Sequence, residues 1–374
     1  MATEITAFGY AVPLVVVVVA LALVVGLALA TAFYLTVGWS VYRSVADDRR
    51  ERVRDDLEDA LLDRLFDPDA DWDEWVAGLS GLERDVVESL LDEYLRELDG
   101  ADADRLRGLG EALGIPDRAR RRLEGGDEFD RLHALTWLTL LRRSEPFRAA
   151  AFEPETARER ATAARLLYEC DALDGAGEGV SILLDDVDEA LPVFGQDTLY
   201  RIAREEPGPL LAAADDDHSE WPTEVLTQVL AVCRYLDTSV ESADLSWLTA
   251  ALEADNEAVR ANAARALGSF GWRAATRDGV FLDRATADPS PRVRAAVYEM
   301  LGAWGDDAAV ALLADALATE EDPRALTRGT DALVERRDRV GDRGTDRLRT
   351  AWGWSREHAR FDALARRGAE RVGE

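Results

Sequence analysis

Two similar stretches, 34 residues apart, constrain the fold of this chain more than any other feature of its sequence. "VRANAARALGSFG" runs from Val259 to Gly271, and "VRAAVYEMLGAWG" runs from Val293 to Gly305. Both begin with Val-Arg-Ala and end with Leu-Gly-x-x-Gly. A period in the mid-thirties predicts stacked helical pairs, because a single pair cannot bury its own apolar face.

The sequence around each copy predicts how the repeating unit is built. An acidic turn, "EADNEA" or "ADPSPR", precedes each copy, and Pro289 and Pro291 favour a turn followed by a helix start. Gly268 and Gly271 lie where the first helix is expected to stop. A second amphipathic segment follows each copy, "ATRDGVFLDRATAD" after the first and "DDAAVALLADALATEEDP" after the second. The unit is therefore predicted to be helix, turn, helix, turn.

This pattern resembles the HEAT repeat, in particular the short HEAT-like repeats named after phycobilisome lyases. The resemblance rests on Asp-Pro-x-x-x-Val-Arg-x-Ala followed by Leu-Gly-x-x-Gly. In that family the arginine after the valine bonds to an aspartate of a neighbouring repeat. The resemblance therefore implies that Arg260 and Arg294 form a ladder with Asp255 and Asp288.

The predicted fold is all-α, with a single N-terminal transmembrane helix followed by an α-solenoid of HEAT-like helical pairs. Looser copies of the repeat, "ARERATAARLLYE", "EVLTQVLAVCRYL" and "DPRALTRGTDAL", extend the predicted solenoid over residues 128–335. Residues 44–127 are predicted to form a helical neck or divergent repeats. There, Val53, Leu57, Leu61 and Leu65 fall on one helical face.

An uncharged run from Ile5 to Tyr42 predicts the membrane helix. Its core, Pro13 to Val37, measures about 37 Å as a helix, enough to cross a hydrocarbon layer of about 30 Å. We therefore divide off residues 1–43 as a membrane segment, with the helix at about residues 11–37. A cleaved signal peptide is the alternative, but the run is too long and lacks a basic region before it.

The charges that flank the run predict its orientation. Only Glu4 precedes it, whereas five arginines follow closely: Arg43, Arg49, Arg50, Arg52 and Arg54. Because cytoplasmic flanks carry an excess of basic residues, the N-terminus is expected outside and the solenoid in the cytoplasm. The predicted location is the cell membrane, with a single pass.

The chain carries a net charge of −30, and all 44 of its basic residues are arginine. An acid excess spread along the sequence is typical of a halophilic proteome, where carboxylates keep protein surfaces hydrated. An acidic patch for a cationic partner is the alternative. Nucleic acid is not an expected partner, since binding it requires a cationic face.

No residue pattern predicts catalysis, a cofactor, a metal or a small-molecule substrate. His133, His218 and His358 are far apart in sequence and form no metal-binding motif. Cys170 and Cys233 lie in helix-like runs without a CxxC spacing, so both are expected to be buried apolar residues. Two acidic clusters, "DDVDEA" and "DDDHSE", are interpreted as solvated loops, because neither has the spacing of a calcium loop.

The C-terminal segment 336–374 reverses the charge of the chain. It holds eleven arginines against seven acids, together with Trp352 and Trp354. One interpretation is a helix that caps the last repeat. The other is a partner surface formed by Trp352, Trp354, Arg356 and Arg360, facing anionic lipids or an acidic protein.

Three functions are compatible with these patterns. The first is a non-enzymatic, membrane-anchored scaffold whose solenoid binds another protein. The second is a lyase-like enzyme, or a subunit of one, built on the same repeats. The third is a structural protein that self-associates and organises the membrane. Absence of a catalytic signature favours the scaffold, although fold alone does not determine function.

Overall fold

The computed structural model of the chain describes residues 4–7, 10–13, 51–67, 70–236 and 244–334, with isolated helical positions at 19, 23, 26, 27, 29, 31, 33 and 353. Helices account for nearly all regular structure in this described part. The all-α prediction is therefore confirmed for the described residues between 51 and 334. Two short strands near the N-terminus are an exception that the sequence did not predict.

These strands, β1 (Glu4–Ala7) and β2 (Tyr10–Pro13), pair antiparallel, with Glu4 opposite Pro13 and Ala7 opposite Tyr10. The predicted start of the membrane helix, at about residue 11, is therefore wrong, because residues 11–13 lie in β2. Four-residue strands are too short to show a clear alternation. Their β-branched and aromatic residues nevertheless suit a pleated surface, and the pairing supplies backbone hydrogen-bond partners.

Most of the remaining predicted membrane span lies outside the described residues. Seven of its positions are described, and each is helical. Five of the seven carry large, exposed apolar side chains: Val19, Leu23, Leu27, Leu29 and Phe33. Among the described residues, no helix has both the length and the hydropathy needed to cross a membrane.

Met1–Ile115 form the first of two compact units. Its described helices are α1 (51–66), α2 (Trp72–Gly78), α3 (Gly81–Glu97) and α4 (Gly100–Ala112). The predicted apolar face of α1 is buried at Leu57, Leu61 and Leu65 and half-buried at Val53. The start of α3 is fixed by a capping box between Ser80 and Glu83.

Pro116–Glu374 form the second unit, called unit 2 below. The boundary between the two units therefore lies in the first turn of α5 (Ile115–Gly125). The sequence predicted that the repeats begin later, at residue 128. The helices that follow α5 are α6 (Glu128–Leu141), α7 (Glu145–Ala149), α8 (Ala157–Glu169), α9 (Ala176–Leu184), α10 (Val193–Glu205), α11 (Gly208–Asp217), α12 (Thr223–Cys233), α13 (Ser246–Ala251), α14 (Glu257–Ser269), α15 (Ala274–Asp278), α16 (Leu282–Thr286), α17 (Pro291–Trp304), α18 (Asp307–Thr319) and α19 (Pro323–Leu333).

The helices of unit 2 form two layers. In the first layer, α6, α8, α10, α12, α14, α17 and α19 each pack on the next. In the second layer, α9 packs on α11 and α11 on α13, while the two layers contact each other at α8 and α10 on α9, and at α14 on α13. The duplicated stretches correspond to α14 and α17, which are direct neighbours. This arrangement is the stacking that the 34-residue period predicted.

Small residues explain how the first layer packs so closely. Helix α14 buries four alanines (Ala261, Ala263, Ala264 and Ala266), and α8 buries three at equivalent spacing (Ala161, Ala163 and Ala164). Alanine favours helix and leaves room for a neighbouring backbone. Between these helices, one apolar core runs from Ala161 to Leu333. Each repeat is therefore held mainly by the repeats on either side of it.

Candidate functional site

The arginine of the first Val-Arg pair binds the turn that begins the next repeat. The Arg260 guanidinium donates two hydrogen bonds to the Asp288 carboxylate, at 2.8 and 3.1 Å. It also donates to the backbone carbonyls of Ala254 and Asp255, at 2.9 and 2.8 Å. The bidentate pair is mostly shielded from water, which strengthens it. Asp255 thus contributes a carbonyl oxygen and not its carboxylate.

Arg294 repeats this arrangement one repeat later, with a partner that the sequence did not predict. Its guanidinium donates to both Glu320 carboxylate oxygens at 2.8 Å. It also donates to the Asp288 carbonyl oxygen at 2.9 Å. The carboxylate partner of Arg294 is therefore Glu320, and Asp288 gives its side chain to Arg260. Each arginine joins the turn before its own helix to the turn before the next.

A third arginine, Arg131, occupies the same position, the fourth residue of its helix, in α6. It donates to Glu159 at 2.7 Å, to Glu155 at 3.1 Å and to the Gly126 carbonyl oxygen at 3.2 Å. The Glu159 side chain is fully buried. The sequence did not predict this pair, because "EFDRLHAL" lacks the valine of the motif. The signal available in the sequence was an arginine at the fourth position of a helix, five residues after Gly126 in the preceding turn.

Glu320 has the most completely occupied carboxylate of the ladder. Besides Arg294, it accepts from the Tyr298 hydroxyl at 2.8 Å and from the backbone N–H groups of Glu321 and Asp322. Burial alone would raise its pKa, but the bonds from Arg294, Asp322 and Tyr298 outweigh burial and lower the pKa to about 2. Burial and the same carboxylate raise the pKa of Tyr298. Glu320 therefore stays ionised and fixed between α17 and α19.

The ladder changes chemistry in the middle of the array. The fourth residues of α10 and α12 are Gln196 and Leu226 instead of arginine. There, Gln228 of α12 bonds both backbone groups of Leu191, accepting at 2.9 Å and donating at 2.8 Å. A neutral amide thus joins α12 to the turn before α10. These ladder contacts are structural, because the groups that form them are turned towards neighbouring repeats.

Two glycines of the duplicated motif serve close packing. Gly268 lies inside α14, where an added Cβ would stand 3.1 Å from the Met300 Cα atom. Gly302 lies inside α17, where an added Cβ would overlap Ala332 of α19. The prediction that the helix stops near Gly268 and Gly271 is confirmed, since α14 ends at Ser269, although Gly268 itself is the second-last residue of the helix. Gly271 and Gly305 follow the helix ends with φ of 73° and 64°, which glycine adopts readily.

Gly302→Ala is expected to destabilise the array by about 1–3 kcal/mol, despite the better helix propensity of alanine. Its methyl group has no space against Ala332. Gly177→Ala in α9 is the matched control, because an added Cβ there meets nothing within 4 Å. Thermal melts followed by circular dichroism should show a lower midpoint for the first variant and an equal or higher one for the second. A rise for both would contradict the close approach.

The other predicted residues are placed as follows. Trp352, Trp354, Arg356 and Arg360 lie outside the described residues, as does His358. The His133 ring accepts a hydrogen bond from the Trp137 indole at 2.9 Å, and the His218 ring lies 2.9 Å from the Ala214 carbonyl oxygen. In the described ranges, no group of histidine, cysteine and acidic side chains is arranged to hold a metal ion.

The two cysteines have different surroundings. Cys233 is buried, and the loss of hydration raises the pKa of its thiol to about 12. Cys170 is only half-buried at the end of α8. The prediction of a buried apolar role is confirmed for Cys233 and only partly met by Cys170. Because its pKa is so high, the Cys233 thiol is unreactive at neutral pH.

A cleft of about 450 Å³ opens beside Cys170, and we call it the α8–α10 cleft. The last turns of α8 and α10 form two of its sides, and the residues leading into α9 form the third. Its apolar lining includes Leu173 and Ile202, and its acidic lining consists of Glu169, Asp171, Glu205 and Glu206. The Tyr168 hydroxyl donates a hydrogen bond to Glu205 at 2.8 Å, and this bond raises the pKa of Tyr168.

The two-layer stack and its inter-repeat ladder define unit 2 as an α-solenoid of helical repeats. Within it, residues 245–334 and 278–352 match the family of HEAT repeats. HEAT repeats therefore occur in the C-terminal region, where α14 and α17 carry the duplicated motif. No curated protein sequence matches the chain. Upstream of residue 245, the structure continues the same layers in helices outside the matched residues.

Proposed function

We propose that this chain is a membrane-anchored scaffold whose helical repeats bind another protein. The observation that carries the proposal is the continuous stacking of seven helices, from α6 to α19, in one layer of unit 2. Stacked repeats offer an extended surface built from many helices. The match to HEAT repeats supports the proposal, because such repeats commonly mediate protein interactions.

The proposal is for binding without catalysis. The most buried carboxylates of unit 2, those of Glu159 and Glu320, are bonded to arginines of the preceding repeat. Groups used in this way hold repeats together and do not face a substrate. A partner protein would instead meet the exposed side chains at the helix ends and turns.

Membrane anchoring rests on the uncharged run from Ile5 to Tyr42. Its described positions support the proposal in one respect. Side chains at Leu23, Leu27 and Phe33 are helical and 65–71% exposed, and a bilayer would cover such residues favourably. The arginines after the run place unit 2 in the cytoplasm under this proposal.

Crosslinking in intact cells tests the proposal. The protein is expected to remain in carbonate-washed membranes and to form crosslinks from unit 2 to a second protein, mapped by mass spectrometry. Carboxylate-reactive crosslinkers suit the acidic surface, because the chain has no lysine. Crosslinks only between copies of this chain would instead support the self-associating alternative. Release by carbonate would contradict anchoring.

Protease added outside the cells provides the control for orientation. Unit 2 is expected to stay intact until the cells are opened, since its location under the proposal is cytoplasmic. Digestion of unit 2 in intact cells would reverse the orientation while leaving the binding function in place.

A further inference from the structure

The acids of the α8–α10 cleft occupy positions that are unfavourable for the fold. Glu169 and Glu205 are the last residues of α8 and α10, and Glu206 follows α10 directly. The C-terminal end of a helix carries partial negative charge, so an acid there costs stability instead of adding to it. The start of α9 at Gly175 faces the same cleft and offsets this charge in part.

The negative charge of the cleft is also poorly compensated. Glu169 pairs with Arg165 at 2.8 Å, and Glu205 accepts the Tyr168 hydroxyl at 2.8 Å. In the parts of the chain that the structure describes, no arginine pairs with Asp171 or Glu206. The ladder acids Glu159, Asp288 and Glu320 differ from Asp171 and Glu206, because each ladder acid is bonded to an arginine. Residues that lower the stability of the fold without a structural benefit are typical of binding sites.

The shape and apolar lining of the cleft limit what can occupy it. A volume of about 450 Å³ accommodates one long side chain with part of its backbone. Half-buried Leu173 provides an apolar surface for a chain of methylene groups, and the half-buried Tyr168 ring also lines the cleft. The same cleft is lined by the carboxyl-bearing residues Glu169, Asp171, Glu205 and Glu206. An occupant should therefore combine an aliphatic stem with a cationic end.

We propose that the α8–α10 cleft binds an arginine side chain from a basic segment of the partner protein. The stem packs on Leu173 and Tyr168, and the guanidinium bonds to Asp171, Glu205 and Glu206. Arginine fits better than lysine, because its planar group donates to two carboxylates at once. This inference rests on the proposed scaffold function and adds the chemistry of its partner.

Fluorescence anisotropy with labelled short peptides tests this site on the full-length protein in detergent micelles. The probes are an arginine–alanine peptide, its lysine counterpart and a glutamate–alanine peptide, all at one salt concentration. The arginine peptide is expected to bind best. Asp171→Asn combined with Glu206→Gln should weaken its binding about tenfold, the effect of losing about 1.4 kcal/mol. Asparagine tolerates the left-handed backbone of Asp171 (φ 51°), so the fold should be kept.

The control carries the same charge change at another place. Asp216→Asn combined with Asp217→Asn removes two exposed carboxylates from the end of α11. The site is supported if only the cleft variant weakens binding and circular dichroism is unchanged. Equal weakening in both variants would overturn it, because binding would then follow the general field of the −30 charge. Absence of arginine-peptide binding would also overturn the site, whereas crosslinks from unit 2 to a partner would still support the scaffold.

Discussion

Glu320→Ala is expected to lower the free energy of unfolding of the helical array by about 3–5 kcal/mol, the range for breaking a buried ion pair. The Glu320 side chain is 1% exposed and receives bonds from Arg294, Tyr298 and two backbone N–H groups. Alanine would leave all four donors without their acceptor. The Tyr298 hydroxyl is buried and has no access to water as a substitute.

Glu321→Ala is the matched control, since Glu321 is the next residue and its side chain is exposed. A surface change of this kind should stay within about 0.5 kcal/mol. Thermal or urea unfolding followed by circular dichroism measures both variants. Similar small effects would show that the Arg294–Glu320 pair contributes no more than an ordinary surface contact.

Acid titration provides a second check on the same group. The pKa of Glu320 falls from 4.5 to about 2 on folding, so its ionised form stabilises the protein above pH 4.5. This contribution is lost progressively as the pH falls from 4.5 towards 2. The stability difference between the wild-type protein and Glu320→Ala should therefore shrink over that range. A constant difference would mean that the charge of Glu320 is not the source of its effect.

The sequence predicted the duplicated part of the fold well because one pattern of apolar, small and arginine positions occurs there twice at the same spacing. Val259 and Val293 are both buried, the arginines after them both reach across a turn, and α14 packs directly on α17. A conserved spacing within one chain supplies its own comparison. The two copies show which positions are apolar and which must be small.

Partner assignment within the ladder was beyond the sequence, because several acids compete in each turn. The turn "EEDP" offers Glu320, Glu321 and Asp322, and only the backbone path determines that Glu320 turns inward. Asp322 instead caps α19 by accepting from Arg324 N–H at 2.9 Å. All three candidates are acids at consecutive positions, so the choice depends on three-dimensional register.

The glycines show a second limit of reading sequence alone. Gly268 and Gly302 stand three residues before glycines that do end helices, and sequence spacing cannot separate the two uses. The difference arises from the neighbouring repeat, since Met300 and Ala332 occupy the space that a side chain would need. The α8–α10 cleft escaped prediction for a related reason. Its acids come from the ends of two helices that are far apart in sequence and adjacent in the stack.

Salt is expected to have a comparably large effect on the folding of the part of the chain after the membrane segment. A fragment from residue 47 to residue 374 should be poorly folded in dilute buffer and gain helical circular dichroism as KCl approaches molar concentration. The physical reason is repulsion among the carboxylates of a chain with a net charge of −30. The Debye length falls from about 10 Å at 0.1 M salt to about 3 Å at 1 M, which removes most repulsion between neighbouring repeats.

The structure explains why the same salt should not disrupt the arginine–carboxylate pairs of the ladder that joins the repeats. Glu159 and Glu320 are almost completely buried, and ions in solution screen buried pairs much less than exposed ones. Acids such as Glu205, Glu206 and Asp217 are exposed, so their repulsion is screened first. Salt should therefore weaken the destabilising contacts and spare the stabilising ones. Because each repeat is held mainly by its neighbours, the gain should spread along the whole array.

Full helicity and an unchanged melting temperature between about 0.1 and 2 M KCl would contradict the halophilic interpretation. The acid excess would then be better explained by a cationic partner, whose binding should weaken as salt rises.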